Sequence, residues 1–104
     1  MANTTVRIPP ILNDNLEKVS YQTGIPKSSL ILYALNDRLR LNKSFEGFEY
    51  IPIDTDNSIR FTLRMPDHLK ALLQEKSLEN NISTNQLINE CVYHFYVLYW
   101  QEYL

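Results

Sequence analysis

The chain repeats itself at a fixed offset. Thr5-Val6-Arg7-Ile8-Pro9 is answered 57 residues later by Thr62-Leu63-Arg64-Met65-Pro66. The same offset runs without a gap through Leu12/Leu69, Leu16/Leu73, Ser20/Ser77, Ile25/Ile82, Leu30/Leu87 and Ile31/Ile88. Each copy reads as one short alternating strand followed by two helical patterns. A unit of roughly 40 residues cannot bury its own apolar face, and a partner of the same kind removes that difficulty. Both copies fit in 104 residues of 44% hydrophobic composition. The expectation is therefore a single pseudo-symmetric domain over 1–104. It comprises a first repeat over 2–41, a packed connector over 42–57, and a second repeat over 58–104 that ends in an aromatic extension.

In the first strand Thr4, Val6 and Ile8 share one face, and Asn3, Thr5 and Arg7 the other. In the second, Phe61, Leu63 and Met65 point inward and Arg60, Thr62 and Arg64 outward. Pro9-Pro10 and Pro66-Asp67 close the strands and open helices, because proline suits the first helical turn and an acid is favoured there. The first helix carries a stripe of Leu12, Leu16 and Val19 with Ile11 at its edge; the second copy carries Leu69, Leu72 and Leu73. Gly24 stops the one, and Asn80-Asn81 the other, with residues that tolerate the left-handed conformation. Ile25-Pro26-Lys27-Ser28 restarts the first copy as a helix with apolar positions at Leu30, Ile31, Ala34, Leu35 and Leu39, and with Arg38 and Arg40 in its last turn. Ser83-Thr84-Asn85-Gln86 reads as a capping box. The helix behind it is expected to run through Leu87, Ile88, Cys91, Val92 and Phe95 toward Trp100. The connector holds the breakers Asn42, Ser44 and Gly47, but Phe45, Phe48, Tyr50, Ile51 and Ile53 make it too apolar for a loose linker.

A net charge of −2 and a pI near 5.6 weigh mildly against a nucleic-acid binder. The distribution softens this. Glu46, Glu49, Asp54 and Asp56 fall between the repeats in a stretch, 44–57, without Lys or Arg, and the rest of the chain has ten bases against eight acids. The single Cys91 excludes an internal disulfide and suits a reducing cytoplasm. No signal peptide or membrane span is read, so a cytoplasmic protein without membrane association is expected. His68 and His94 stand apart, no Cys/His spacing resembles a zinc site, and with only Gly24 and Gly47 there is no phosphate-cradling loop. No enzyme, catalytic residue, metal or cofactor is expected.

Arg60-Phe61-Thr62-Leu63-Arg64-Met65-Pro66 and Asn80-Asn81-Ile82-Ser83-Thr84-Asn85 resemble the strand and inter-helix turn of Arc. Asn15-Leu16-Glu17-Lys18 and Gly24-Ile25-Pro26-Lys27-Ser28 are more similar to CopG. The chain thus resembles the ribbon–helix–helix superfamily of the Arc, CopG and MetJ repressors, over about 2–41 and 58–97, with two copies in one chain as in the TraY arrangement. The resemblance implies an α+β, mostly α fold. This is an intramolecular pseudo-dimer with a two-stranded antiparallel ribbon and four main helices, the ribbon lying in the DNA major groove.

On that footing Asn3, Thr5, Arg7, Arg60, Thr62 and Arg64 are the candidates for base contacts. Arg grips guanine and Asn adenine with two hydrogen bonds, and Thr meets the thymine methyl or a polar edge. Taken alone, the same residues are an ordinary solvated strand face. Lys27, Ser28, Ser83, Thr84 and Asn85, at the N-termini of the second helices, are candidates for phosphate contacts, with ordinary capping as the other reading. The ribbons differ at Asn3 against Arg60, so the expected partner is double-stranded DNA with an asymmetric or imperfectly palindromic site. Tyr93, Phe95, Tyr96, Tyr99, Trp100 and Tyr103 read either as extra core, as a surface for self-association, or as a site for a partner protein. The expected function is a sequence-specific regulator of transcription, plasmid copy number or conjugation. The rival is an antitoxin-like protein-interaction module with weak or no DNA binding.

Overall fold

The computed structural model describes residues 2–40 and 57–99. Strand β1 (Ala2–Ile8) lies antiparallel to β2 (Ile59–Met65) in a two-stranded sheet. The register sets Asn3 opposite Arg64, Thr5 opposite Thr62 and Arg7 opposite Arg60. The central pair, Thr5 and Thr62, is also a pair related by the sequence repeat. A twofold relation through this pair therefore carries β1 onto β2.

The helices obey the same relation. α1 (Pro10–Thr23) and α2 (Lys27–Leu35) are matched by α3 (Asp67–Asn80) and α4 (Thr84–Val92), each beginning and ending 57 residues after its counterpart. Local chemistry explains the boundaries. Pro9 and Pro66 hold φ −58° and ψ 146°, which ends a strand and presents the next residue to a helix. Gly24 (φ 75°) and Asn81 (φ 55°) close α1 and α3 in the left-handed region, their N–H groups returning to carbonyls of the last turn. Ser83 Oγ accepts from the Gln86 N–H at 3.0 Å and caps α4.

The alternation of the strands is matched by their burial. Val6, Ile8, Leu63 and Met65 are buried, and Thr4 and Phe61 are half-buried on the same side. They sit on a core built from Leu12, Leu16 and Val19 of α1, Leu30, Ile31, Ala34 and Leu35 of α2, Leu69 and Leu73 of α3, and Leu87, Ile88, Cys91 and Val92 of α4. Ile11 is 84% exposed, so the inward arc of α1 is narrower than the sequence stripe and does not include it. The two halves interlock: α4 packs on β1, α2 on β2, and α2 on α4.

Both second helices continue as π-helix, over Asn36–Arg40 and over Tyr93–Tyr99. The expected α-helix toward Trp100 is thus corrected from Tyr93 onward. A π-helix closes hydrogen bonds five residues apart, so the wider turn shifts the inward face by about one residue. Tyr96, five residues past Cys91, is buried, and Phe95 is only half-buried. Tyr96 Oη donates to the carbonyl of Leu30, tying the end of one half to α2 of the other. α1 packs on the second π-helical segment and α3 on the first. Arg38, in the last turn as the sequence places it, is buried within this packing. Cys91 is buried beside it, and removal from water pushes its thiol up to about 12.

The connector over 42–57, apart from the exposed turn residue Asn57, lies outside the described residues, as do Trp100 and Tyr103. Among the described residues no helix is long and apolar enough to cross a membrane, and no group of three or more His, Cys, Asp or Glu could hold a metal.

Candidate nucleic-acid interface

Asn3, Thr5, Arg7, Arg60, Thr62 and Arg64 all lie exposed on the face of the ribbon turned away from the core. Alternation puts them there: each strand spends its apolar positions on the helices, and only polar side chains remain for the outer face. Seven residues per strand give a ribbon about 20 Å long, narrow enough for a major groove about 12 Å wide. The register gathers the six side chains into three cross-strand pairs. Arg7 and Arg60 stand at one end, Thr5 and Thr62 at the centre, and Asn3 and Arg64 at the other end. One end thus carries two guanidinium groups and the other a guanidinium and a carboxamide.

The candidate phosphate contacts flank this ribbon but differ from one another. α4 begins beside β1 and α2 beside β2, so each helix N-terminus borders the strand of the other half. Ser83 is occupied as the cap of α4, whereas α2 starts at Pro26 without a side-chain cap. Ser28 and Thr84 lie half-buried in the first turns. Lys27 is engaged internally. Its Nζ donates to Asn13 Oδ1 at 2.9 Å, lies 3.5 Å from Glu17 Oε1, and stands 5.4 Å from the centre of the Phe61 ring. A phosphate contact by Lys27 requires the side chain to leave these partners.

Asn85 is committed elsewhere too. Its Oδ1 accepts from the Arg7 N–H at 2.8 Å and its Nδ2 donates to the Arg7 carbonyl at 3.3 Å. The Asn85 side chain therefore binds the strand, and only its backbone N–H in the opening turn of α4 is suited to an anion. Sequence reasoning missed Asn89, which adds a second donor to the Arg7 carbonyl at 2.9 Å. The available signal was an asparagine four residues after Asn85, set within the apolar run Leu87 to Val92. Since both polar groups of the Arg7 peptide go to α4, they point off the ribbon's edge. The outward pairs are therefore the closely spaced, non-hydrogen-bonded pairs of the ladder, with neighbouring side chains near one another.

Residues 2–40 match the family model of the ribbon-helix-helix domain. The ribbon-helix-helix match spans β1, α1, α2 and the π-helical turn after it, and stops short of β2, α3 and α4. No curated protein and no solved structure matches the chain. The match covers residues 2–40; beyond it, β2, α3 and α4 follow β1, α1 and α2 at the same 57-residue offset.

Proposed function

We propose that this chain is a sequence-specific double-stranded DNA-binding regulator, built as an intramolecular pseudo-dimer of two ribbon–helix–helix units. The observation that carries the reading is the antiparallel ribbon centred on Thr5 and Thr62, whose outer face holds six exposed polar side chains. Its chemistry suits base edges, and the ribbon-helix-helix match over 2–40 supports the same use. The ribbon enters the major groove, Arg7, Arg60 and Arg64 take guanine edges, and Asn3 takes adenine. The opening turns of α2 and α4 face the flanking phosphates with their free N–H groups. The unequal ends favour an asymmetric or imperfectly palindromic operator. By occupying a promoter or an origin, such a protein acts as a repressor or controls plasmid copy number or conjugation.

The test is selection from a random duplex pool across a salt series, with the wild type and with the double variant Arg7→Ala/Arg64→Ala. The wild type should enrich a short motif that the variant does not. Failure to enrich any motif at low salt, where the phosphate attraction is strongest, overturns the reading and favours the protein-interaction module.

A further inference from the structure

The two ends of the ribbon differ in how firmly they are held as well as in composition. The Arg7 peptide is gripped by three hydrogen bonds from α4: Asn85 accepts its N–H, and Asn85 and Asn89 both donate to its carbonyl. Asn89 also donates to the Asn85 carbonyl at 2.8 Å, which couples the two asparagines to one another. Asn89 is 1% exposed, and its Oδ1 has no hydrogen-bond partner among the described residues. A buried amide left half-satisfied is costly, so its two donated bonds define what the side chain is there to hold. Both acceptors are carbonyl oxygens, which also fixes which way the amide points.

At the other end the equivalent strand residue is Arg64, and the residues equivalent to Asn85 and Asn89 are Ser28 and Leu32. Leucine offers no donor and serine is shorter, and no hydrogen bond joins α2 to the Arg64 peptide among the described residues. The clamp therefore exists only at the end where Arg7 stands opposite Arg60.

We propose that Asn85, backed by Asn89, is a positioning residue that fixes the Arg7 peptide and makes the Arg7/Arg60 end of the ribbon the more discriminating of the two DNA-reading ends. The proposal rests on the DNA-binding reading above. An arginine discriminates between bases only when its fork arrives in register with guanine O6 and N7. A long side chain on a free strand edge loses part of that selectivity to motion of its own backbone. A backbone held before binding has already given up that freedom, so more of the contact energy goes into telling bases apart.

The test uses the full chain and Asn85→Ser, which places in α4 the residue that α2 already tolerates at the equivalent position. Operator positions under the Arg7/Arg60 end are assigned as those whose discrimination is lost in Arg60→Ala. In Asn85→Ser, discrimination at those positions should fall about fivefold, a share of what one bidentate contact supplies. Discrimination under the Asn3/Arg64 end and the slope of affinity against salt should stay as in the wild type, because no phosphate contact is removed. Amide exchange gives a readout without DNA: the Arg7 N–H should be protected in the wild type and released in Asn85→Ser. Equal loss at both ends, or no loss at either, overturns the proposal while leaving the DNA-binding reading intact. A wild type that selects no motif overturns both.

Discussion

Asn3 is where the outer face of the ribbon departs from its own symmetry. Its counterpart is Arg60, and the register places it opposite Arg64. Replacing Asn3 by arginine would give both ends two guanidinium groups. On the proposed DNA-binding reading, the preferred operator should then become more nearly palindromic, with the adenine expected under Asn3 giving way to guanine. Selection from the same duplex pool reads this directly, and unchanged half-site preferences would show that Asn3 does not face the bases. Cys91 supports a different prediction. The folded protein raises its thiol from 9.0 to about 12, chiefly by burial. At neutral pH it should therefore resist thiol reagents in the native state and react on unfolding. In the fold the thiol stays protonated above pH 9, where the unfolded chain's would ionise. Its contribution to stability is present below about 9 and is lost between about 9 and 12, at on the order of 1 kcal/mol per pH unit. A urea series at rising pH, compared between wild type and Cys91→Ala, measures that loss.

Among the elements, the paired helix stops offer the cleanest comparison. Gly24 and Asn81 occupy equivalent places and both adopt positive φ. Among the described residues nothing lies within 4 Å of where a Cβ on Gly24 would stand, so a substitution there meets backbone strain and no clash. Gly24→Ala should cost about 1 kcal/mol, and Gly24→Asn less, because asparagine already holds this conformation at Asn81. Equal denaturation midpoints for the two variants would contradict that account. These stops, the prolines and the alternating strands were legible in the sequence because each is fixed by neighbours a few residues away. The π-helical continuations were not. Whether Phe95 or Tyr96 turns inward depends on the reach of Tyr96 to the Leu30 carbonyl, 66 residues distant. The clamp on Arg7 was hidden for the same reason. Asn85 reads from the sequence as part of a helix start, and Asn89 has no role of its own until α4 is set against β1. The sequence offers Lys27 as a phosphate contact at a helix N-terminus, with no sign that the fold brings Asn13, Glu17 and Phe61 around it.

For the molecule as a whole, the interlocking of the halves has a thermodynamic signature. α1 packs on the extension of α4, α3 on that of α2, and the sheet takes one strand from each half. Neither half keeps its core when the other is removed, so unfolding should be a single transition. With the strands paired within one chain, the closing contact is intramolecular, and the thermal midpoint should not move with protein concentration. A midpoint that climbs with concentration would show strands exchanged between chains instead.

The same register bears on how such a protein can change over generations. Where one polypeptide supplies both arms from two copies of itself, every codon change strikes both arms at once, and a drifting target must be matched twice in one step. Here Asn3 and Arg60 are written separately in one gene. If the ribbon reads DNA as proposed, a single mutation retunes one arm and leaves the other gripping its old sequence, so the pair can follow a changing target in half-steps.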